Sequence, residues 1–118
     1  DNSIVKKAIE ISSNKKLVKI TNNPIEAVNG ANVLYTDVWS SMGEENKKDE
    51  KEKDFKGFSI DADLINRADK NAIILHCLPA YRDKEITDEV IESKNSRIFN
   101  QAENRLHAQQ ALLACLIS

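Results

Sequence analysis

The segment Ala72-Ile73-Ile74-Leu75-His76-Cys77 constrains this chain more than any other. It is a near-continuous apolar run closed by Pro79. A strand with one wet face alternates polar and apolar residues, so a run without alternation marks a strand covered on both faces, as in a parallel sheet. The flanking sequence supplies the helices such a sheet needs. Asn2 and Ser3 are good N-caps for an amphipathic helix that ends near Ser13, with Ile4, Val5, Ala8 and Ile9 on one face. Leu17 to Thr21 reads as a short strand, broken at Asn22-Asn23-Pro24. Ile25 to Val28 is a brief helix stopped by Asn29-Gly30, and Asn32 to Val38 is a second strand. Ser41 to Phe55 carries mixed charges at i,i+4 spacing and reads as a solvated helix ended by Gly57. Asp61 is expected to cap a helix from Ala62 to Ala68, and Thr87 to Glu92 a capped helical turn. Arg97-Ile98-Phe99 reads as a short strand and Glu103 to Ile117 as the last helix. Strands and helices that alternate through short connectors predict an α/β chain, doubly wound, with a mostly parallel sheet and flanking helices.

Length and charge narrow the function. A chain of 118 residues is enough for one domain. Seventeen basic against nineteen acidic residues, with 5% aromatics, give no basic patch or stacking platform for nucleic acid and no pull toward anionic lipid. Cys77 and Cys115 do not make a disulfide framework, which fits a reducing, cytoplasmic setting. The longest apolar run, Ala111 to Ile117, is far below the roughly 20 residues of a membrane span. The N-terminus has no basic-then-apolar targeting pattern and no Met, and Asp1-Asn2-Ser3 reads as a helix cap, so the chain is expected to begin in the middle of a fold.

In open parallel sheets ligands bind beyond the carboxyl ends of the strands. Three expected strand ends carry reactive groups: Asp37, then His76-Cys77-Leu78-Pro79, then Gln101-Ala102-Glu103-Asn104-Arg105. Asp37 either caps the following helix or binds a cationic amine. The backbone N–H groups of Ser41-Met42-Gly43, opening that helix, suit a carboxylate. An acid beside such donors is what a free amino acid requires. Cys77 is either a small buried hydrophobe or a functional thiol. His76 is adjacent to it, and consecutive strand residues point to opposite faces, so the two do not make a nucleophile–base pair. Cys115, in the apolar last turns, reads as core. Two His and two Cys without paired short spacing fail as a zinc site. Arg105, expected in the first turn of the last helix, makes either a surface ion pair or a planar fork for phosphate. No Gly-rich phosphate loop is present.

These residues resemble those of ornithine carbamoyltransferases. Asp37-Val38-Trp39-Ser40-Ser41-Met42-Gly43 resembles their Asp-x-x-x-Ser-Met-Gly loop, and His76-Cys77-Leu78-Pro79 their His-Cys-Leu-Pro motif. Gln101-Ala102-Glu103-Asn104-Arg105 resembles the segment before their last helix. Aspartate carbamoyltransferases have His-Pro-Leu-Pro at the second motif, and putrescine enzymes lack the first. The resemblance covers essentially the whole chain, yet only the later part of the family's second, ornithine-binding domain. The first domain's Ser-Thr-Arg-Thr-Arg phosphate motif is absent, and so is the early second-domain strand bearing an ornithine-contacting Asn. The chain therefore reads as residues 1–118 of a fragment, with 103–117 as a terminal helix that docks on the missing N-terminal carbamoyl-phosphate domain.

The resemblance implies roles for named residues. Asp37, Ser41 and Met42 contact ornithine. Cys77, through its sulfur, and Leu78, through its backbone, lie where ornithine meets carbamoyl phosphate, and Arg105 binds carbamoyl phosphate. Asp37 and Cys77 are the family's catalytic pair, and Glu85 joins a supporting network with His76. No cofactor is implied. Family members commonly form trimers, which makes a homo-oligomer the expected assembly. The implied reaction is attack by the ornithine side-chain amine on the carbonyl of carbamoyl phosphate, giving citrulline and phosphate. The chain alone is expected to be inactive. Two other readings stay open: a carbamoyltransferase for another amine acceptor, and a non-catalytic amino-acid-binding or interaction module of the same fold.

Overall fold

Two parallel strands, β1 (Val33–Thr36) and β2 (Ile73–His76), organise the computed structural model, which describes residues 1–14, 17–40 and 48–117. Val33 pairs with Ile73 and Thr36 with His76, so both strands end on one rim. The helices are α1 (Asn2–Ile11), α2 (Pro24–Val28), α3 (Lys48–Asp54), α4 (Ala62–Ile65), α5 (Asp88–Ile91) and α6 (Ile98–Ile117). A parallel sheet with flanking helices is an α/β fold, as the alternation of elements implies.

Burial is one-sided. Leu34, Ile74 and His76 are buried, whereas Ile73 and Leu75 are only half-covered and Val33 and Tyr35 are exposed. The core comprises Val28, Leu34, Ile60, Ala72, Ile74, Ile86, Val90, Ile91 and Ile98. It covers one face of the pair, so the expectation of a strand buried on both faces is met on one face only. On the other face no apolar residue of either strand is fully buried. The Cα radius of gyration is 16.6 Å, against about 13–14 Å for a compact chain of this length.

Two expected strands are absent among the described residues. Leu17 to Thr21 has no β-ladder partner among the described residues, and Leu17 and Ile20 are exposed. β-propensity cannot hold a strand whose backbone groups lack a ladder partner. Arg97-Ile98-Phe99 is instead the start of α6. The Ile74 N–H donates to the Asn95 carbonyl at 3.0 Å and the Arg97 N–H to the Ile74 carbonyl at 2.9 Å, which leaves one isolated bridge at Ser96. The Gln101 N–H then donates to the Arg97 carbonyl at 2.8 Å, and the chain is helical. Ile98 is fully buried in the core, and that packing overrides the local β-type pattern.

The caps follow short-range chemistry. Asp1, rather than Asn2 or Ser3, caps α1 by accepting the Ser3 N–H at 2.8 Å. Asn23 accepts the N–H groups of Ile25 and Glu26, and Pro24 supplies the first helical φ. Gly30 leaves the turn after α2 at φ +70°, a conformation costly for a residue with a Cβ. Asp61 accepts the Leu64 N–H at 2.8 Å, and α4 stops at Ile65 rather than at Ala68. Thr87 occupies the N-cap of α5 without making a cap bond, and the Asp83 carboxylate takes the Asp88 N–H instead. Asp61→Ala is expected to lower stability by about 1 kcal/mol, since the freed donor loses its partner. Urea unfolding checks this, and an unchanged midpoint would remove the cap from the account.

At twenty residues, α6 is about 30 Å long. Only Ile98 is buried on it, while Leu106, Leu112, Leu113, Leu116 and Ile117 are exposed. Cys115 is exposed as well and is not a core residue here. Apolar character on every side does not by itself bury a helix; a neighbouring surface must cover it. Among the described residues no helix is long and apolar enough to cross a membrane.

Candidate functional site

Asp37 directly follows β1 and Cys77 directly follows β2, so the strand register brings them to one rim. A carboxylate oxygen of Asp37, a ring nitrogen of His76 and the sulfur of Cys77 all lie within 4.8 Å of one another. The hydrogen bond shared with the Cys77 thiol holds the Asp37 carboxyl below its usual range, and the Val38 N–H, 2.7 Å from Oδ1, acts the same way. Burial opposes both, and the nearby imidazole contributes a smaller lowering. The same thiol–carboxylate bond pushes the Cys77 thiol up, reinforced by burial and by the carboxylate charge. Tyr35 and the Cys77 backbone N–H pull the other way. Both shifts describe one state: the proton stays on sulfur and the charge stays on Asp37.

That state predicts reactivity. A raised thiol pKa means a smaller thiolate fraction at pH 8, and the thiolate is the nucleophile. Cys77 is expected to react with iodoacetamide more slowly at pH 8 than N-acetylcysteine does, and to catch up only above pH 9. Mass spectrometry of the modified peptide reads this directly. Equal or faster reaction at pH 8 would contradict the thiol–carboxylate pairing.

His76 and Glu85 form the buried support beneath that pair. Both are essentially inaccessible, at 0% and 1% exposure. The Leu78 N–H donates to Nδ1 of His76 at 2.9 Å, so Nδ1 is the unprotonated nitrogen and Nε2 carries the proton. Nε2 faces Oε1 of Glu85 at 3.2 Å, and the same oxygen accepts the Tyr81 N–H at 2.6 Å. One carboxylate oxygen thus orients the imidazole and anchors the loop after β2. Both ring nitrogens are engaged away from Cys77, so His76 is not placed to take the thiol proton. Leu78 has φ +55°, a left-handed conformation for a residue with a branched side chain, and precedes a cis bond to Pro79. Its N–H bond to His76 helps to hold it there.

The same bonds decide against a metal at this cluster. A cation would displace the Leu78 N–H from Nδ1 or the Glu85 contact from Nε2, and it would require the thiolate that Asp37 disfavours. The donor set does not fit.

Arg105 is not where the sequence reading puts it. Because α6 begins at Ile98, Arg105 lies about two turns into the helix. It is exposed, and its side chain makes no hydrogen bond or ion pair with Asp37 or Cys77, so the structure does not join it to them. It does follow Gln101 at i+4, on the same stripe of α6. Gln101 is the residue that reaches the strand ends: Oε1 accepts the His76 N–H at 3.1 Å and Nε2 donates to the Tyr35 hydroxyl at 3.1 Å. The sequence names Gln101 only as the start of the segment leading to Arg105 and Tyr35 only within a strand, with no role for either. The available signal was that Tyr35 lies two residues before Asp37, on the same side of an extended strand. Ser41 and Met42 lie outside the described residues. A groove of about 320 Å³ between α2 and β1 is lined by Tyr35 and by residues such as Pro24, Val33 and Phe58, and it includes neither Asp37 nor Cys77.

The family profile described as "Aspartate/ornithine carbamoyltransferase, Asp/Orn binding domain" matches residues 1–116. The chain belongs to the aspartate/ornithine carbamoyltransferase family. It is 71% identical over 114 residues to an ornithine carbamoyltransferase of Prochlorococcus marinus subsp. pastoris, a match that covers 97% of this chain and 37% of that relative. Among solved structures, the ornithine carbamoyltransferase of Pyrococcus furiosus superposes with a TM-score of 0.82 at 43% identity, over 97% of this chain and 37% of that one. The anabolic enzyme of Campylobacter jejuni superposes with a TM-score of 0.83 at 45% identity, over 94% and 36%. The chain therefore spans little more than a third of the length of these carbamoyltransferases.

Proposed function

We propose that this chain is the acceptor-binding part of an ornithine carbamoyltransferase, which moves a carbamoyl group from carbamoyl phosphate to the side-chain amine of ornithine. The observation that carries the reading is the Asp37–Cys77 pair on the rim of a parallel sheet, in a chain of this family. The charged carboxylate is suited to receive an alkylammonium, whose pKa of about 10.4 keeps it protonated and non-nucleophilic at neutral pH. The site must therefore deliver a neutral amine next to the carbonyl carbon and stabilise the oxyanion that forms. Holding both reactants in place accounts for up to about 7–11 kcal/mol of such a barrier.

In this reading Asp37 orients the amino acid, together with Ser41 and Met42. The Cys77 sulfur stays protonated and shapes the field around the amine without forming a carbamoyl-enzyme; the engagement of both His76 nitrogens supports this. The Leu78 backbone meets both substrates, and Arg105 takes carbamoyl phosphate, neutralising charge on phosphate and oxyanion. A carbamoyl-phosphate-binding half completes the site and covers the exposed apolar residues of α6, within 103–117. The intact enzyme is a cytoplasmic homotrimer of arginine metabolism that produces citrulline.

Citrulline formation tests the reading. The chain alone should give no turnover, and the intact protein should convert ornithine and carbamoyl phosphate to citrulline and phosphate. Isothermal titration of the intact protein with ornithine, with and without carbamoyl phosphate, provides the second arm. Binding without turnover would favour a non-catalytic module. Turnover only with a different amine would change the acceptor.

A further inference from the structure

Tyr35 stands in a hydrogen-bond path whose direction follows atom by atom. The backbone N–H of His76 can only donate, so the Gln101 atom 3.1 Å from it is the amide oxygen. The amide nitrogen is then the atom 3.1 Å from the Tyr35 hydroxyl, and it too can only donate. The tyrosine oxygen accepts that bond, which leaves its own proton for another acceptor. Register supplies the acceptor. Tyr35 pairs with Leu75, and Cys77 lies two residues further along, on the same side of the sheet and at diagonal distance. The register therefore sets the Tyr35 hydroxyl on the side of the Cys77 sulfur, and a hydroxyl proton turned toward that sulfur favours the thiolate, the direction in which Tyr35 acts on Cys77. The sulfur's single proton then has one acceptor left, the ionised carboxylate of Asp37.

We propose that Tyr35 and Gln101 are positioning residues of this site: the Gln101 amide locks the Tyr35 hydroxyl as a donor to Sγ of Cys77, and that bond aims the thiol proton at Asp37. The path runs from α6 through β1 to the residue after β2 and back to the residue after β1. It ties the start of the helix that carries Arg105 to the thiol–carboxylate pair. Only its consequence for turnover rests on the carbamoyltransferase reading.

The test uses the intact protein with Cys115→Ser, so that Cys77 alkylation is followed without interference from the exposed thiol. The ionisable groups facing the sulfur are Asp37 and Tyr35, with His76 behind and tied to Glu85; Gln101 is neutral. Tyr35→Phe keeps the ring and removes the donor. The pH midpoint of Cys77 alkylation by iodoacetamide should move up by about one unit, because the thiolate loses a charge-assisted bond. Gln101→Glu keeps the shape but replaces the amide donor with an acceptor, drawing the Tyr35 proton toward α6, and should move the midpoint the same way. A midpoint that stays in place or falls in Tyr35→Phe overturns the proposal. Should Tyr35→Phe fail to fold, an unmoved midpoint in Gln101→Glu overturns it equally. The pH profile of kcat/KM for ornithine should shift with the alkylation midpoint. If the thiol shifts while wild-type protein makes no citrulline, the positioning role stands and the functional reading fails.

Discussion

Asp37→Ala is expected to reduce kcat/KM for ornithine by about 30- to 150-fold in the intact protein, mostly through loss of acceptor binding. Removing one partner of a close charge pair typically costs about 2–5 kcal/mol, and the lower part of that range is appropriate for a carboxylate open to solvent in the free chain. The variant carries a second signature. The bond to Asp37 is the largest cause of the elevated Cys77 thiol pKa. Without it the thiol pKa should fall, and Cys77 should alkylate faster at pH 8 than in the wild type. One substitution should thus slow one reaction and accelerate another, which general unfolding does not mimic if affinity for carbamoyl phosphate is retained. Unchanged titration of ornithine into Asp37→Ala would remove Asp37 from acceptor recognition. An unchanged alkylation rate would remove it from the environment of the thiol.

Glu85→Ala should destabilise the protein by about 3–5 kcal/mol, the usual penalty for removing one partner of a buried polar or ionic pair. Glu85 and His76 are both buried, and Oε1 of Glu85 serves the imidazole and the Tyr81 N–H together. Truncation leaves two donors without an acceptor inside the protein. It also frees the loop from Leu78 to Lys84, so activity should fall alongside stability. Glu85→Gln is the informative comparison. Its amide oxygen can accept both bonds, and its amide nitrogen would take the place of Oε2, which has no hydrogen-bond partner among the described residues. Its cost should be nearer 1 kcal/mol. Urea melts of the two variants decide the matter: similar losses in both would mean that charge, rather than the shared acceptor, holds this part of the fold.

The two strands were legible because their signals are local. An apolar run ended by Pro79 and a β-type run ended at Asp37 need only their own residues to be recognised, and both strands form. Asn23 and Asp61 were equally readable, since a capping side chain bonds to an N–H two or three residues ahead. Leu17 to Thr21 and Arg97 to Phe99 carry similar local signals and are not strands. The first lacks a ladder partner among the described residues, and the second is captured by the core at Ile98 after one bridge. Nothing within either segment distinguishes it from a strand that forms.

The candidate site divides along the same line. Asp37 and Cys77 were readable because parallel strands deliver their carboxyl ends to one rim, whatever packs around them. Their support was not. Gln101 reaches the His76 backbone across 25 residues of chain and the Tyr35 hydroxyl across 66. A bond of that span is set by how α6 lies on β2, and the helix's start at Ile98 in turn places Arg105 two turns along it. Sequence alone determined that Asp37 and Cys77 stand at the ends of the two strands, because backbone periodicity acts over a few residues. Tertiary structure decided how their protons and charges are held, because hydrogen bonds between distant segments exist only once the core has brought those segments together.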